Sequence, residues 1–112
     1  MLKVFCDFDG TVSKGDVGDA FFRRFSGEEA LELVRRWEVG EMNSRDLYLA
    51  MLRSFRASPE EVEEFIAEQE IDPSFREFAG FCAREEIPLA ILSDGMDLYI
   101  RPLLERNGLA GL

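Results

Sequence analysis

The sequence predicts an α/β fold in which a parallel sheet carries an inserted block of helices. Three observations lead there. Two apolar runs, residues 2–8 and 88–92, are too continuous for half-exposed strands and read as strands buried on both faces. Each run ends in a polar turn, Asp7-Phe8-Asp9-Gly10-Thr11 in the first and Ser93-Asp94-Gly95 in the second, at the carboxyl ends where open α/β sheets hold their ligands. The residues between them are patterned for helices, so the strands meet through a helical crossover and lie parallel.

Taken in order, Ser13-Lys14-Gly15-Asp16 is a turn, and Asp16 to Phe25 places Val17, Phe21 and Phe25 at helical spacing. Ser26-Gly27-Glu28-Glu29 fits a capping box, and the helix after it sets Ala30, Leu33, Val34 and Trp37 on one face. Gly40 is a natural stop for that helix. A further helix runs from about Ser44 to Phe55, with Leu47, Met51 and Phe55 on one side. Ser58-Pro59-Glu60-Glu61 joins an N-cap, a proline at the first helical position and a capping-box glutamate, ahead of Val62, Phe65 and Ile66. Asp72-Pro73 opens another helix, with Phe75, Phe78, Ala79 and Cys82 facing inward. After the second strand, Asp97 to Asn107 reads as a helix interrupted or kinked at Pro102.

Composition narrows the function. The chain has 112 residues, a size suited to one modest domain, and 46% hydrophobic against 32% charged residues, a globular balance. A formal charge of −10 argues against nucleic acid as a partner, because phosphate backbones call for a basic patch. No stretch has the length of a membrane span or the pattern of a signal peptide. Cys6 and Cys82 are unclustered and form neither a disulfide framework nor a zinc site, so a cytoplasmic setting is expected. The absence of histidine excludes histidine bases, histidine metal ligands and Ser-His-Asp triads.

The chemistry concentrates at Asp7 and Asp9. Two adjacent carboxylates repel unless a proton or a cation relieves them, and a hard divalent ion such as Mg²⁺ is the simplest relief. One carboxylate could then attack phosphorus while the other handles protons. The alternative is structural: a polar turn after a buried strand, opened by Asp9 and closed by Gly10.

The full string Asp7-Phe8-Asp9-Gly10-Thr11, following an apolar strand near the N-terminus, resembles the first motif of the haloacid-dehalogenase-like hydrolases. Ile91-Leu92-Ser93, followed by Asp94-Gly95, is similar to their second motif. The helical insertion between the motifs resembles the branch containing phosphoserine phosphatase and the methionine-salvage phosphatase of a hydroxy-keto-methylthiopentenyl phosphate. The resemblance implies a Rossmann-like core of residues 1–14 and 72–112 and a helical cap of residues 15–71; helices packed on the sheet as one body are the alternative. It implies Asp7 as nucleophile and Asp9 as general acid and base in a Mg²⁺-dependent phosphomonoesterase acting on a small phosphorylated metabolite. Mg²⁺ would be held by Asp7 and the backbone carbonyl of Asp9. Phosphate oxygens would be held by Gly10, Thr11, Ser93, Asp94 and Gly95. Asp16, nine positions after Asp7, would either contact the substrate or simply cap a helix.

The sequence departs from that family in having neither the third motif, a Lys or Arg, nor the fourth, an acidic pair. Lys3 and Lys14 are the only lysines, and neither stands in the third-motif place. The chain is therefore expected to be the N-terminal portion of a hydrolase, with an incomplete sheet. A non-catalytic fragment or binding module is the alternative, and a phospho-accepting receiver domain fits the motif order poorly. The first strand is expected to present an exposed edge through which the chain forms a homo-oligomer.

Overall fold

The computed structural model describes residues 2–112. The element order is β1 (Val4–Cys6), α1 (Val17–Phe25), α2 (Gly27–Glu38), α3 (Ser44–Ser54), α4 (Pro59–Glu68), α5 (Pro73–Arg84), β2 (Leu89–Ile91) and α6 (Asp97–Arg106). β1 and β2 pair in parallel with Val4 opposite Leu89, Phe5 opposite Ala90 and Cys6 opposite Ile91. That is the crossover relation expected of two strands joined through helices.

The chain divides into two compact units, residues 1–18 with 64–112 and residues 19–63. In the first, Phe8, Val12, Tyr99 and Leu103 are fully enclosed, with Val17, Phe65, Phe75 and Cys82 nearly so. Its chain runs out and back side by side. The Lys14 amide donates to the Glu70 carbonyl at 3.0 Å and the Asp72 amide to the Val12 carbonyl at 2.8 Å. Ser13 and Ile71 form an isolated antiparallel bridge between these contacts, and Lys14 pairs with Glu70 at 2.6 Å. Nothing local in the sequence announces this clasp, because its partners lie more than fifty residues apart.

The second unit is built on aromatic rings. Phe21 packs on Phe25 and Phe55 with ring centroids 5.1 and 5.2 Å apart, and Phe22 meets Tyr48 edge-on at 5.8 Å. Leu47 and Met51 of α3 are buried at the spacing the sequence predicts.

Several local expectations change. The strands are three residues each, shorter than 2–8 and 88–92, and neither is buried on both faces. Leu2, Phe5 and Leu92 are 64%, 58% and 70% exposed, because among the described residues β1 and β2 have only each other as sheet neighbours. Trp37 and Phe78 also reach the surface, and Trp37 turns its indole N–H to the Ser44 hydroxyl at 3.1 Å. The Ser26 capping box does not form. Ser26 has helical backbone angles and no capping bond, and its buried hydroxyl donates to the Met51 carbonyl at 3.1 Å. The Ser58 box does form, since the Ser58 hydroxyl takes the Glu61 amide and the Glu61 carboxylate takes the Ser58 amide, each at 3.2 Å. Asp72 caps α5 by accepting the Ser74 amide at 2.9 Å. Gly40, at φ +82°, ends α2 with paired bonds from Gly40 and Glu41 back to Trp37 and Arg36.

Candidate functional site

The site begins where β1 stops. Asp7 is the first residue beyond the strand, and its carboxylate is exposed, with Oδ1 accepting the Phe8 amide at 2.8 Å. The chain then reverses around one carbonyl: the amides of Thr11, Val12 and Ser13 converge on the Phe8 oxygen at 3.1, 2.9 and 3.1 Å. Gly10 takes φ +76° in this reversal, a conformation costly for any side chain with a Cβ. Ser13 lies at its centre, almost wholly buried, donating to the Gly15 carbonyl at 2.6 Å and accepting the Gly10 amide at 3.2 Å. The Gly10 and Thr11 amides, nominated from the sequence as phosphate donors, are thus engaged inside the turn itself.

The reversal drives Asp9 inward. Its Oδ1 accepts the Val17 and Gly18 amides at 3.0 and 3.2 Å, the first free N–H groups of α1. Its Oδ2 accepts the Tyr99 hydroxyl at 2.9 Å. Burial raises the proton affinity of Asp9 above that of an ordinary aspartate, and the nearby Asp16 charge raises it further. The bonds from Tyr99, Gly18 and Val17 pull it back without cancelling the rise. Two residues of one type, two positions apart, therefore face opposite surroundings: Asp7 is open to solvent, and Asp9 is held by both oxygens.

The exit of β2 lies beside Asp9. The Leu92 amide donates to the Cys6 carbonyl at 2.9 Å, so both strands end at one level. Ser93 Oγ accepts the Gly95 amide at 2.9 Å, which leaves the hydroxyl hydrogen available to a ligand. Gly95 presses so close that a Cβ there would stand 2.9 Å from Asp9 Oδ2. Asp16 shares the neighbourhood, since a Cβ on Gly18 would stand 3.6 Å from Asp16 Oδ1 and 3.7 Å from Asp9 Oδ2. Thr11 and Asp94 are exposed. A cavity of about 160 Å³ next to Ser93 and Gly95 is lined also by Asp97, Ile100 and Arg101, and touches neither Asp7 nor Asp9. Among the described residues, no group of three or more His, Cys, Asp or Glu is disposed to hold a metal ion.

Sequence reasoning missed Tyr99, Gly18 and Ser13. Tyr99 carries no local signal in the sequence, because its partner is ninety residues away. Only the crowding of small and polar residues around motif ends hinted at a close approach.

A parallel strand pair thus gathers an aspartate pair at one exit and a serine turn at the other, an α/β arrangement with its polar groups at the strand ends. The profile of the haloacid dehalogenase-like hydrolases matches residues 4–111, and the chain belongs to that family. It is 36% identical over 108 residues to Pdp3-interacting factor 1 of Schizosaccharomyces pombe, covering 94% of this chain and 47% of that protein. It is 31% identical over 109 residues to the 2-hydroxy-3-keto-5-methylthiopentenyl-1-phosphate phosphatase of Bacillus cereus, covering 93% and 48%. It is 32% identical over 104 residues to the bifunctional enzyme MtnB/MtnX of Bacillus licheniformis, covering 91% and 24%. The chain thus spans about half the length, or less, of these curated relatives. Among the described residues, no helix is long and apolar enough to cross a membrane.

Proposed function

We propose that the chain carries the nucleophile and the proton-transfer group of a Mg²⁺-dependent phosphomonoester hydrolase acting on a small phosphorylated metabolite. The observation that carries this reading is the asymmetry of the aspartate pair, one carboxylate exposed at the strand exit and the other half-buried, hydrogen-bonded through both oxygens and raised in proton affinity. An Asp7 oxygen attacks phosphorus, and the bond from phosphorus to the substrate oxygen breaks as Asp9 gives that oxygen a proton. Water then attacks the aspartyl-phosphate, Asp9 takes the water's proton, and inorganic phosphate leaves Asp7 free. Ser93 directs its hydroxyl at a phosphate oxygen, alongside Asp94 and Gly95 of the same turn. Gly10 and Thr11 would add their amides only on leaving the oxygens of Gly15, Ser13 and Phe8.

Mg²⁺ commonly binds through one or two carboxylates and keeps several waters. The Asp7 carboxylate and the Asp9 main-chain carbonyl suit that role, since the Asp9 side-chain oxygens are engaged elsewhere. Bound there, the ion would offset the negative charge gathered by phosphate and carboxylates. Residues 15–71 are proposed to form a helical cap, and Asp16 to contact the substrate. The setting is proposed to be cytoplasmic, and the open edge of β1 to mediate self-association.

Incubation with 4-nitrophenyl phosphate and Mg²⁺ tests the proposal. Continuous turnover that Asp7→Asn abolishes is the expected result. No release of nitrophenol by the unaltered chain would favour a non-catalytic binding module, and a single stoichiometric burst would favour a phospho-accepting domain.

A further inference from the structure

Tyr99 is fully buried, and its hydroxyl has a carboxylate partner. It points at Asp9 Oδ2 from 2.9 Å. Two glycines make room for that approach. A Cβ on Gly95 would stand 2.3 Å from the Tyr99 oxygen, and one on Gly18 would stand 2.8 Å from it. Neither glycine has the positive φ that would otherwise account for it, because the left-handed glycines are Gly10, Gly27, Gly40 and Gly108. The Tyr99 ring is fixed by packing near Phe8, with centroids 6.2 Å apart, and Phe8 lies between the two aspartates in the chain. Ring, hydroxyl and glycines thus converge on one carboxylate oxygen.

We propose that Tyr99 is a positioning residue that holds Asp9 Oδ2 in place for proton transfer, with Gly18 and Gly95 as the walls that admit its hydroxyl; this rests on the phosphatase reading above. The chemistry of the partners assigns the two oxygens different tasks. The Val17 and Gly18 amides can only donate, so Oδ1 stays an acceptor throughout. A phenol both donates and accepts, so Oδ2 keeps its partner whether or not it carries the proton. Oδ2 is therefore the oxygen that exchanges the proton with the leaving group, and Tyr99 keeps it from rotating away.

The test pairs a spectroscopic readout with a kinetic one, on the full chain. Tyr99→Phe removes the hydroxyl and keeps the ring. In the ¹⁵N-labelled chain it should move the Val17 and Gly18 amide resonances, which Asp9→Ala should move further, while the Ser74 amide, capped by Asp72, stays in place. Gly95→Ala, which drives a methyl group onto the Tyr99 hydroxyl, should move the same two amides. In kinetics, Tyr99→Phe should lower kcat/KM for an alkyl phosphate roughly ten-fold, the effect of one charge-assisted hydrogen bond. It should barely affect kcat/KM for 4-nitrophenyl phosphate, whose leaving group departs without a proton ahead of the hydrolysis step that Asp9 serves for both substrates. Val17 and Gly18 amides unmoved by Tyr99→Phe would overturn the proposal whatever the kinetics. Equal losses in kcat/KM on alkyl and aryl phosphates would overturn the assignment of Oδ2 to proton transfer to the leaving group. If the unaltered chain turns over neither substrate, the phosphatase reading falls on its own, and the amide resonances alone decide whether Tyr99 holds Asp9.

Discussion

Each compact unit encloses an aromatic side chain at its centre, and the two rings meet different things. Phe21, in residues 19–63, closes against Phe22, Phe25 and Phe55, ring on ring. Tyr99, in the other unit, closes against the Asp9 carboxylate. The first arrangement gains from burial and ring geometry alone. The second draws a carboxylate partly out of water, which raises its proton affinity while its other oxygen takes the first amides of α1. Outside, the same unit leaves Leu2, Phe5 and Leu92 exposed along its strand pair. A unit that half-buries a carboxylate and exposes large apolar side chains departs from the local rules where chemistry and recognition are expected.

If that contrast is sound, substitutions on its two sides separate activity from stability. Asp7→Asn should have the largest effect, loss of detectable turnover with an unchanged unfolding transition, since the exposed Asp7 side chain supports only the adjacent amide. Near-normal turnover in Asp7→Asn would end the nucleophile assignment. Asp9→Asn should slow turnover by roughly 10²- to 10⁴-fold, the range of general acid–base groups. Isothermal titration should find Mg²⁺ affinity weakened far more by Asp7→Asn than by Asp9→Asn, because Asp9 would serve the ion through its main chain. Equal weakening would count against those separate roles.

Phe21→Ala probes the other side. Removing a large aromatic from a closed cluster costs about 3–5 kcal/mol, so urea unfolding should show a much earlier midpoint. A loss under about 1 kcal/mol would mean that the rings are not what holds residues 19–63 together. Phe5→Glu addresses the open edge. Phe5 is 58% exposed on β1, with Lys3 Nζ lying 5.1 Å from its ring centroid. Sedimentation at micromolar concentration should find the unaltered chain self-associated and Phe5→Glu shifted towards monomer. A compact monomer before any substitution would show that the edge needs no partner.

What the sequence made legible follows the same divide. Helix order, the parallel pairing and the buried faces of α1 and α3 were readable because each depends on spacing within a few residues. So was the aspartate pair at the end of β1. The clasp of Val12–Lys14 on Glu70–Asp72 and the bond from Tyr99 to Asp9 were not, since spacing carries no information about partners that distant. The strand burial was misjudged for a related reason: a continuous apolar run predicts neighbours on both faces, and the structure supplies them on few.

The two serines at helix starts offer the finest test, and the smallest effect. Ser26 and Ser58 carry nearly the same local signal, a serine followed three residues later by glutamate. Only Ser58 exchanges bonds with that glutamate, while Ser26 gives its hydroxyl to the Met51 carbonyl. Alanine should not separate them well. Ser58→Ala should cost about 0.5–2 kcal/mol as a lost cap, and Ser26→Ala about 0.5–1.5 kcal/mol as a lost hydrogen bond, with Met51 keeping the Ser54 hydroxyl at 2.9 Å. Aspartate should separate them by sign of effect. At position 58 it is an equally good cap, so Ser58→Asp should unfold with the unaltered midpoint or slightly above it. At position 26 it would turn an acceptor towards a carbonyl in a nearly closed site, so Ser26→Asp should unfold well below Ser26→Ala. Equal midpoints for the two aspartate variants in urea unfolding would mean that Ser26 is a cap after all, and that its contact with Met51 contributes nothing.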